Sequence, residues 1–338
     1  MKLHRLASAA AGLALTLPAA ALVTVDAPYL YEGAPLPVAR LTLENADGRR
    51  MTCSGSPIAD GRWLLTAAHC LKDTYNNANW FAQSATVEIF GSTPYTAQVD
   101  ASMWQWHGGW TGSILDGHDI ALIRLPSAAP LSFTIDRFGL GDAMIGTTTP
   151  LSVLVAGYGI GGQGAVDPST YRAGMLRIGG NHYDAFGTIP GSTYLFDFDD
   201  GSTDRNALGL PGYSQVAGYP PNYDLVDWDF DGNHAWAEAM IAPGDSGGPS
   251  LVEMFIVAGV HSYRMWDPAD ADRVINSSFG EIGVDTRVAF FAPWIDQVTM
   301  APVPEAPSLA LMLAGLTGIV ALRRQRRAHG RQARAEQA

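Results

Sequence analysis

Between its two ends, the apolar residues of this chain come in runs too short to be helices. Trp63-Leu64-Leu65-Thr66, Ala85-Thr86-Val87-Glu88-Ile89-Phe90, Ile120-Ala121-Leu122-Ile123-Arg124-Leu125, Leu151-Ser152-Val153-Leu154-Val155-Ala156 and Phe255-Ile256-Val257-Ala258-Gly259-Val260 are four to six residues long, and Gly, Pro, Asn and Asp break the stretches between them. A helix needs a longer segment of 3.6 period to bury one face, whereas a run of this length fills a strand. No sequence repeat is present. The expected fold is all-β, with short antiparallel strands closing into barrels or a sandwich. One short helix is expected near the end, Ala292–Val298, with Pro293 in its first turn.

A chain of 338 residues that is 47% hydrophobic, with only 2 Cys, is long enough for one large or two modest folded units that do not depend on cross-links. This composition excludes disorder, a small disulfide scaffold, collagen and a polytopic membrane protein. The formal net charge of -12 understates the acidity of the middle. Eight of the 21 basic side chains stand at the ends (Lys2, Arg5, Arg323, Arg324, Arg326, Arg327, Arg331, Arg334), but only two of the 33 acidic ones do (Glu305, Glu336), which leaves 13 against 31, or -18, for residues 22–300. So acidic a surface repels phosphate backbones, and nucleic acid is not expected as a partner.

Both ends read as targeting devices. In residues 1–21, Lys2 and Arg5 precede an apolar stretch from Leu6 to Leu17, and Ala19-Ala20-Ala21 supplies the small residues of a cleavage site, the pattern of a secretory signal. At the other end, Val303-Pro304-Glu305-Ala306-Pro307-Ser308 lies in a linker (301–308). It is followed by an apolar run, 309–322, and a basic tail, 323–338, opening Arg323-Arg324-Gln325-Arg326-Arg327. The run of 14 residues is short of the ~20 that usually span a bilayer, although snorkelling Arg extends its reach. The Arg cluster would stay cytoplasmic. This arrangement resembles the PEP-CTERM sorting signal of Gram-negative bacteria. The resemblance implies export from the cytoplasm, a transient inner-membrane anchor helix recognised by an exosortase-type sorting peptidase, and a final place at the cell surface or outside. A permanent single-pass anchor is the other reading of the same residues.

Three motifs between the ends carry chemistry: Leu65-Thr66-Ala67-Ala68-His69-Cys70, His118-Asp119-Ile120-Ala121-Leu122 and Gly244-Asp245-Ser246-Gly247-Gly248-Pro249. A neutral serine hydroxyl is a poor nucleophile and needs an imidazole to take its proton. The imidazole in turn needs a buried carboxylate to fix its tautomer and stabilise the imidazolium. The glycines around Ser246 let the backbone turn sharply, so that the amides of Gly244 and Ser246 can form an oxyanion hole. In the order His, Asp, Ser, these motifs resemble those of the trypsin-like serine proteases of the chymotrypsin fold, from about Met51 to Val298. Ala156-Gly157-Tyr158-Gly159 and Thr286-Arg287-Val288 with Trp294-Ile295 are further matches to that family.

The resemblance implies two antiparallel six-stranded β-barrels within residues 22–300, meeting near 139–149, with the active site between them and a short C-terminal helix. It implies a triad of His69, Asp119 and Ser246, a disulfide between Cys53 and Cys70, and a protein or peptide substrate. It also implies that Asp245 pairs with a freed N-terminus, but the usual Ile-Val-Gly-Gly start is absent; signal removal after Ala21 would expose Leu22-Val23, a similar apolar start at a long distance from Cys53, and the activation route stays open. By the same analogy Met240 forms the base of the specificity pocket, and Ser262, Arg264 and Gly283 its wall. Met at the base offers no carboxylate to Arg or Lys, so an apolar or small-residue preference is expected. His107, His118, His182, His234 and His261 read as surface or structural residues. The interval from Asp119 to Ser246 is long for this family and includes an acidic insertion. There Asp227, Asp229 and Asp231, with Glu238 at the twelfth place, satisfy the spacing of a calcium loop. Pro220-Pro221 and Pro243 oppose flanking helices, so a solvated acidic loop is the alternative and no cofactor is expected. The expected protein is a monomeric exported serine endopeptidase. The alternative is a catalytically silent surface or matrix-binding protein on the same fold.

Overall fold

In a computed structural model of the chain, the described residues are 22–24, 36–74, 79–146, 151–164, 173–187, 191–198, 207–208, 227–228, 235–236, 238–266 and 274–300. The elements of the first half are β1 (Leu22–Thr24), β2 (Ala39–Asn45), β3 (Arg50–Ile58), β4 (Trp63–Thr66), the one-turn helix α1 (Ala68–Leu71), β5 (Lys72–Asp73), β6 (Trp80–Ile89), β7 (Tyr95–Asp100), β8 (Trp104–Trp106) and β9 (Ala121–Arg124). Next come β10 (Thr134–Ile135), β11 (Leu151–Gly157), β12 (Gly161–Gln163), β13 (Arg177–Tyr183), β14 (Ala185–Phe186), β15 (Thr193–Asp197), β16 (Asp227–Trp228) and β17 (Ala235–Trp236). The last are β18 (Ala239–Met240), β19 (Pro249–Val252), β20 (Ile256–Trp266), β21 (Glu281–Arg287) and helix α2 (Val288–Thr299).

Two curled half-barrels result. The first has the order β5-β6-β2-β3-β4-β9-β8 with β7 on β6, and the second has β13-β11-β19-β20-β21-β15-β14 with β10 on β20. Among the described residues each of these sheets contains eight strands, where six-stranded barrels were expected. The difference lies in pieces such as β5, β10 and β14, two residues each, which are too short to leave an apolar run in the sequence. Because β10 already pairs with β20, the chain crosses between the sheets before Thr134, ahead of the 139–149 segment.

The strand pattern follows from alternation. In β2, Ala39, Leu41 and Leu43 point into the core, whereas Arg40, Thr42 and Glu44 lie half-buried. Arg40 then reaches across to Glu88 on β6 at 2.7 Å. β7 repeats the rule with Tyr95, Ala97 and Val99 inward. β11, between β13 and β19, is buried on both faces over Val153–Gly157 and lacks that alternation. The second core gathers Val153, Val155, Tyr183, Tyr194, Phe196, Met240 and Ala258.

Helix α2 begins four residues before the expected start, because Val288, Phe291, Ala292 and Ile295 all fall on its buried face. Pro293 consequently sits inside the helix rather than in its first turn. Among the described residues no helix is long and apolar enough to cross a membrane. The segments read as signal, linker, anchor and basic tail (1–21, 301–308, 309–322, 323–338) lie outside the described residues. So do Asp229 and Asp231 of the calcium spacing. Asp227 pairs with Trp236 in the β16–β17 ladder, and Glu238 is buried and bridged to Gly180.

Candidate active site

His69 rides on α1, directly after β4 has crossed the first core. A disulfide from Cys70 to Cys53 on β3 holds that turn, with the Cα atoms 6.3 Å apart. Asp119 stands two residues before the first residue of β9, the ladder partner of β4. Pairing those two strands therefore brings together residues 50 apart in sequence. Asp119 Oδ2 lies 2.6 Å from His69 Nδ1, and Oδ1 accepts the His69 backbone N–H at 2.8 Å. The carboxylate also accepts Ser262 Oγ at 2.5 Å, and the Asp119 carbonyl accepts Thr286 Oγ1 at 2.9 Å. Ser262, read from sequence as pocket wall, thus holds Asp119 from the other half-barrel.

The nucleophile loop runs from β18 to β19. Its tight turn is closed by Asp245 N–H donating to the Ala242 carbonyl (2.9 Å) and Gly248 N–H to the Asp245 carbonyl (2.8 Å). Gly244 and Gly247 adopt φ of 104° and 81°, a region that side chains strain to enter. The loop is anchored to the first half-barrel through Ser54: its N–H donates to the Ser246 carbonyl (2.8 Å) and its hydroxyl to the Gly244 carbonyl (3.0 Å). Tyr158 N–H returns to the Ser54 hydroxyl at 2.9 Å, which explains why the Gly157-Tyr158-Gly159 segment stands where it does.

His69 and Ser246 line one cleft of about 380 Å³, together with Asp73, Ile114, Ile241, Ala242, Pro243, Ser262, Tyr263, Arg264 and Ile275. Met240 is not among these residues. It is fully buried, facing the core and paired with Val23, and its neighbours Ile241, Ala242 and Pro243 form the wall instead. Gly283 also lies away from the lining, because β21 threads it between Arg264 and the ring of Phe196. Arg264 does line the cleft, but its guanidinium donates to Ser277 and stands 3.7 Å from the buried carboxylate of Glu281. No sequence signal marked Ser277 or Glu281 for this role.

The electrostatics are those of a coupled buried pair. Desolvation pushes Asp119 up, yet the charge and hydrogen bond of His69, with Ser262 and the His69 amide, hold it below the ordinary carboxylate range. Desolvation pulls His69 down, but the charge and hydrogen bond of Asp119, helped by Asp73, leave it above the ordinary imidazole value. An ionised Asp119 only accepts, so Nδ1 of a neutral His69 carries the hydrogen and Nε2 is left as the base. Asp245 is buried and pushed up to about 6 by desolvation, against the amides of Gly159 and Ala242. β1 runs beside this carboxylate's donors: Leu22 pairs with Gly161, two residues after Gly159, and Val23 pairs with Met240. Cys53, His69 and Cys70 lie close enough to suggest a metal site, but both sulfurs are committed to the disulfide.

Residues 37–194 match the trypsin family model. Over that segment the chain is similar to the trypsin-like serine proteases. It covers His69 and Asp119 and ends before the insertion and Ser246. The chain is 26% identical over 263 residues to transmembrane protease serine 9 of Rattus norvegicus, an alignment over 76% of this chain and 21% of the relative. The chain thus spans about a fifth of that relative's length. Among solved structures, HL collagenase superposes with a TM-score of 0.52 at 21% identity, covering 81% of this chain and 98% of that one. Mouse neuropsin gives a TM-score of 0.49 at 19% identity, covering 78% and 95%. The HL collagenase superposition identifies the fold as that of chymotrypsin.

Proposed function

We propose that the chain is an exported serine endopeptidase that cleaves peptide bonds through an acyl-enzyme on Ser246. His69 Nε2 takes the Ser246 Oγ proton as the oxygen attacks the scissile carbonyl carbon, and the amides of Gly244 and Ser246 hold the oxyanion. The imidazolium then gives that proton to the leaving amine. Water repeats the attack on the ester, losing its proton to His69, and Ser246 is regenerated when the acid departs. The supporting observation is the buried Asp119 carboxylate, which grips both Nδ1 and the amide of His69 in the cleft that Ser246 lines. A fluorophosphonate probe should label the wild-type protein at Ser246 and fail to label Ser246→Ala. Absence of labelling in mature wild-type protein would favour the silent binding protein.

The cleft walls of Ile241, Ala242, Pro243 and Ile275, with Arg264 already engaged by Glu281 and Ser277, favour an apolar or small side chain before the cut bond. Efficient cleavage after Arg or Lys in a peptide library would overturn this preference. Removal of the signal after Ala21 makes Leu22 the mature N-terminus. The pairing of β1 with β12 and β18 favours its α-amine as the partner of Asp245. The tail acts as a PEP-CTERM-like sorting device held by its apolar run until an exosortase-type peptidase cuts near Pro304. Mass determination of the mature chain tests both ends at once.

A further inference from the structure

A second carboxylate–imidazole pair lies behind the site, and the proposed mechanism does not use it. His261 and Asp285 are both fully buried, with Nδ1 and Oδ1 2.9 Å apart. The other oxygen of Asp285 accepts Ser250 Oγ and Tyr183 OH, each at 2.6 Å. One carboxylate therefore ties together β13, β19 and β20. Burial and the Asp285 charge push the Tyr183 phenol well above its ordinary value, so it keeps its proton and stays a donor. A side chain at Gly259 would run into Asp285 at 2.6 Å, so the strand leaves room for this cluster. His261 Nε2 is buried with no hydrogen-bond partner among the described residues. A valine-sized apolar residue would fill such a place without that cost.

The covalent neighbours of the pair show what it does. Ser262, next to His261, donates to Asp119 Oδ2, and Thr286, next to Asp285, donates to the Asp119 carbonyl. The His261 backbone also clasps the nucleophile loop: its carbonyl accepts Gly247 N–H at 2.8 Å and its N–H donates to the Gly248 carbonyl at 2.9 Å. Building on the serine-protease reading, we propose that His261 and Asp285 are positioning residues, a buried pair that sets the register of Ser262, Thr286 and the Ser246 loop against Asp119 and His69. The charged and titratable groups around the imidazole are Asp285 on β21, Tyr183 on β13 and, through space, Asp245 of the nucleophile loop. A displacement on the order of 1 Å in such a constellation costs about 10²-fold in rate.

The test uses His261→Leu, His261→Asn and Asp285→Asn in the mature protein. His261→Leu and Asp285→Asn should lower kcat about 10- to 100-fold with KM within about twofold. His261→Asn, which keeps a donor near the Nδ1 position, should recover part of that loss. The titration of His69, followed by NMR of ring-labelled histidines, should move in Asp285→Asn because Asp119 has shifted. If His261→Leu does not fold, Tyr183→Phe, which removes one donor to Asp285, should show a smaller effect of the same kind. Unchanged kcat and an unchanged His69 titration in folded variants would overturn the proposal, as would a change confined to KM. A wild-type protein that neither cleaves peptides nor takes a fluorophosphonate, yet whose His69 titration moves in Asp285→Asn, would sink the protease reading and leave this one standing.

Discussion

At His69 two effects oppose each other: burial favours the neutral ring, and the ionised Asp119 at 2.6 Å favours the charged one. The second prevails, so the imidazole titrates above its ordinary 6.5. A general base must be neutral, and the rate should therefore rise with pH through a midpoint above 6.5. In Asp119→Asn the largest remaining influence is desolvation, so that midpoint should move to lower pH while kcat falls about 10⁴-fold. Measuring kcat/KM against pH for both proteins checks this, and a midpoint that stays in place would show that Asp119 does not set it. The proposed triad of His69, Asp119 and Ser246 was legible as a candidate because each residue carries a local motif. Ser54 carries none, and Ser262 and Thr286 were marked only by resemblance and for other roles, since any hydroxyl in a strand reads alike until the strand's register says what it faces.

At the scale of elements, the disulfide and the β4–β9 ladder share the task of presenting His69. The Cys53–Cys70 bridge closes a 17-residue loop, and removing it with Cys53→Ala and Cys70→Ala together should destabilise the protein by roughly 3 kcal/mol. Urea melts would read that loss, and equal midpoints would mean that packing alone holds α1. Bonded neighbours explain why activity should fall with it: Trp80 donates to the Cys70 carbonyl at 2.8 Å, so a loosened α1 is still tethered but no longer doubly held. Strands β4, β6, β9, β11 and β20 each contain an apolar run visible in the sequence. Strands of two residues do not, because one ladder pair leaves no periodicity to read. Helix α2 was visible but misplaced at its start, since the start was placed from Pro293 whereas the buried face shared by Val288, Phe291 and Ile295 carries the helix back to Val288.

For the whole molecule, the question is how the two half-barrels and the chain's beginning cooperate. Asp245, pushed up to about 6 by burial, favours its protonated form in the fold. Its contribution is full below the unfolded carboxyl value and is lost as pH rises through about 6, unless a cation joins it. A mature chain beginning with a free Leu22 amine should therefore be more stable at pH 7 than one extended by a few residues, by about 3 kcal/mol if a buried pair is broken. The difference should shrink below pH 6 as Asp245 protonates, and above about pH 8 as the α-amine loses its charge. Thermal melts of the two forms across this range test it, and coincident curves at every pH would remove Leu22 from the role.

By itself the sequence determined the strand-rich class, the three catalytic-type motifs in their order, the cysteine pairing implied by resemblance, and the acidic character of residues 22–300 between basic ends. These are local or additive properties, readable from neighbours in the chain. Tertiary structure alone decided that Met240 packs into the core while Ile241 to Pro243 face the cleft, that Arg264 is held by Glu281, and that Ser262 holds Asp119. It also decided that His261, which the sequence left as an ordinary histidine, is fully buried against Asp285. Each of these depends on strand register between segments tens of residues apart. A shift of one residue would turn every such side chain to the opposite face.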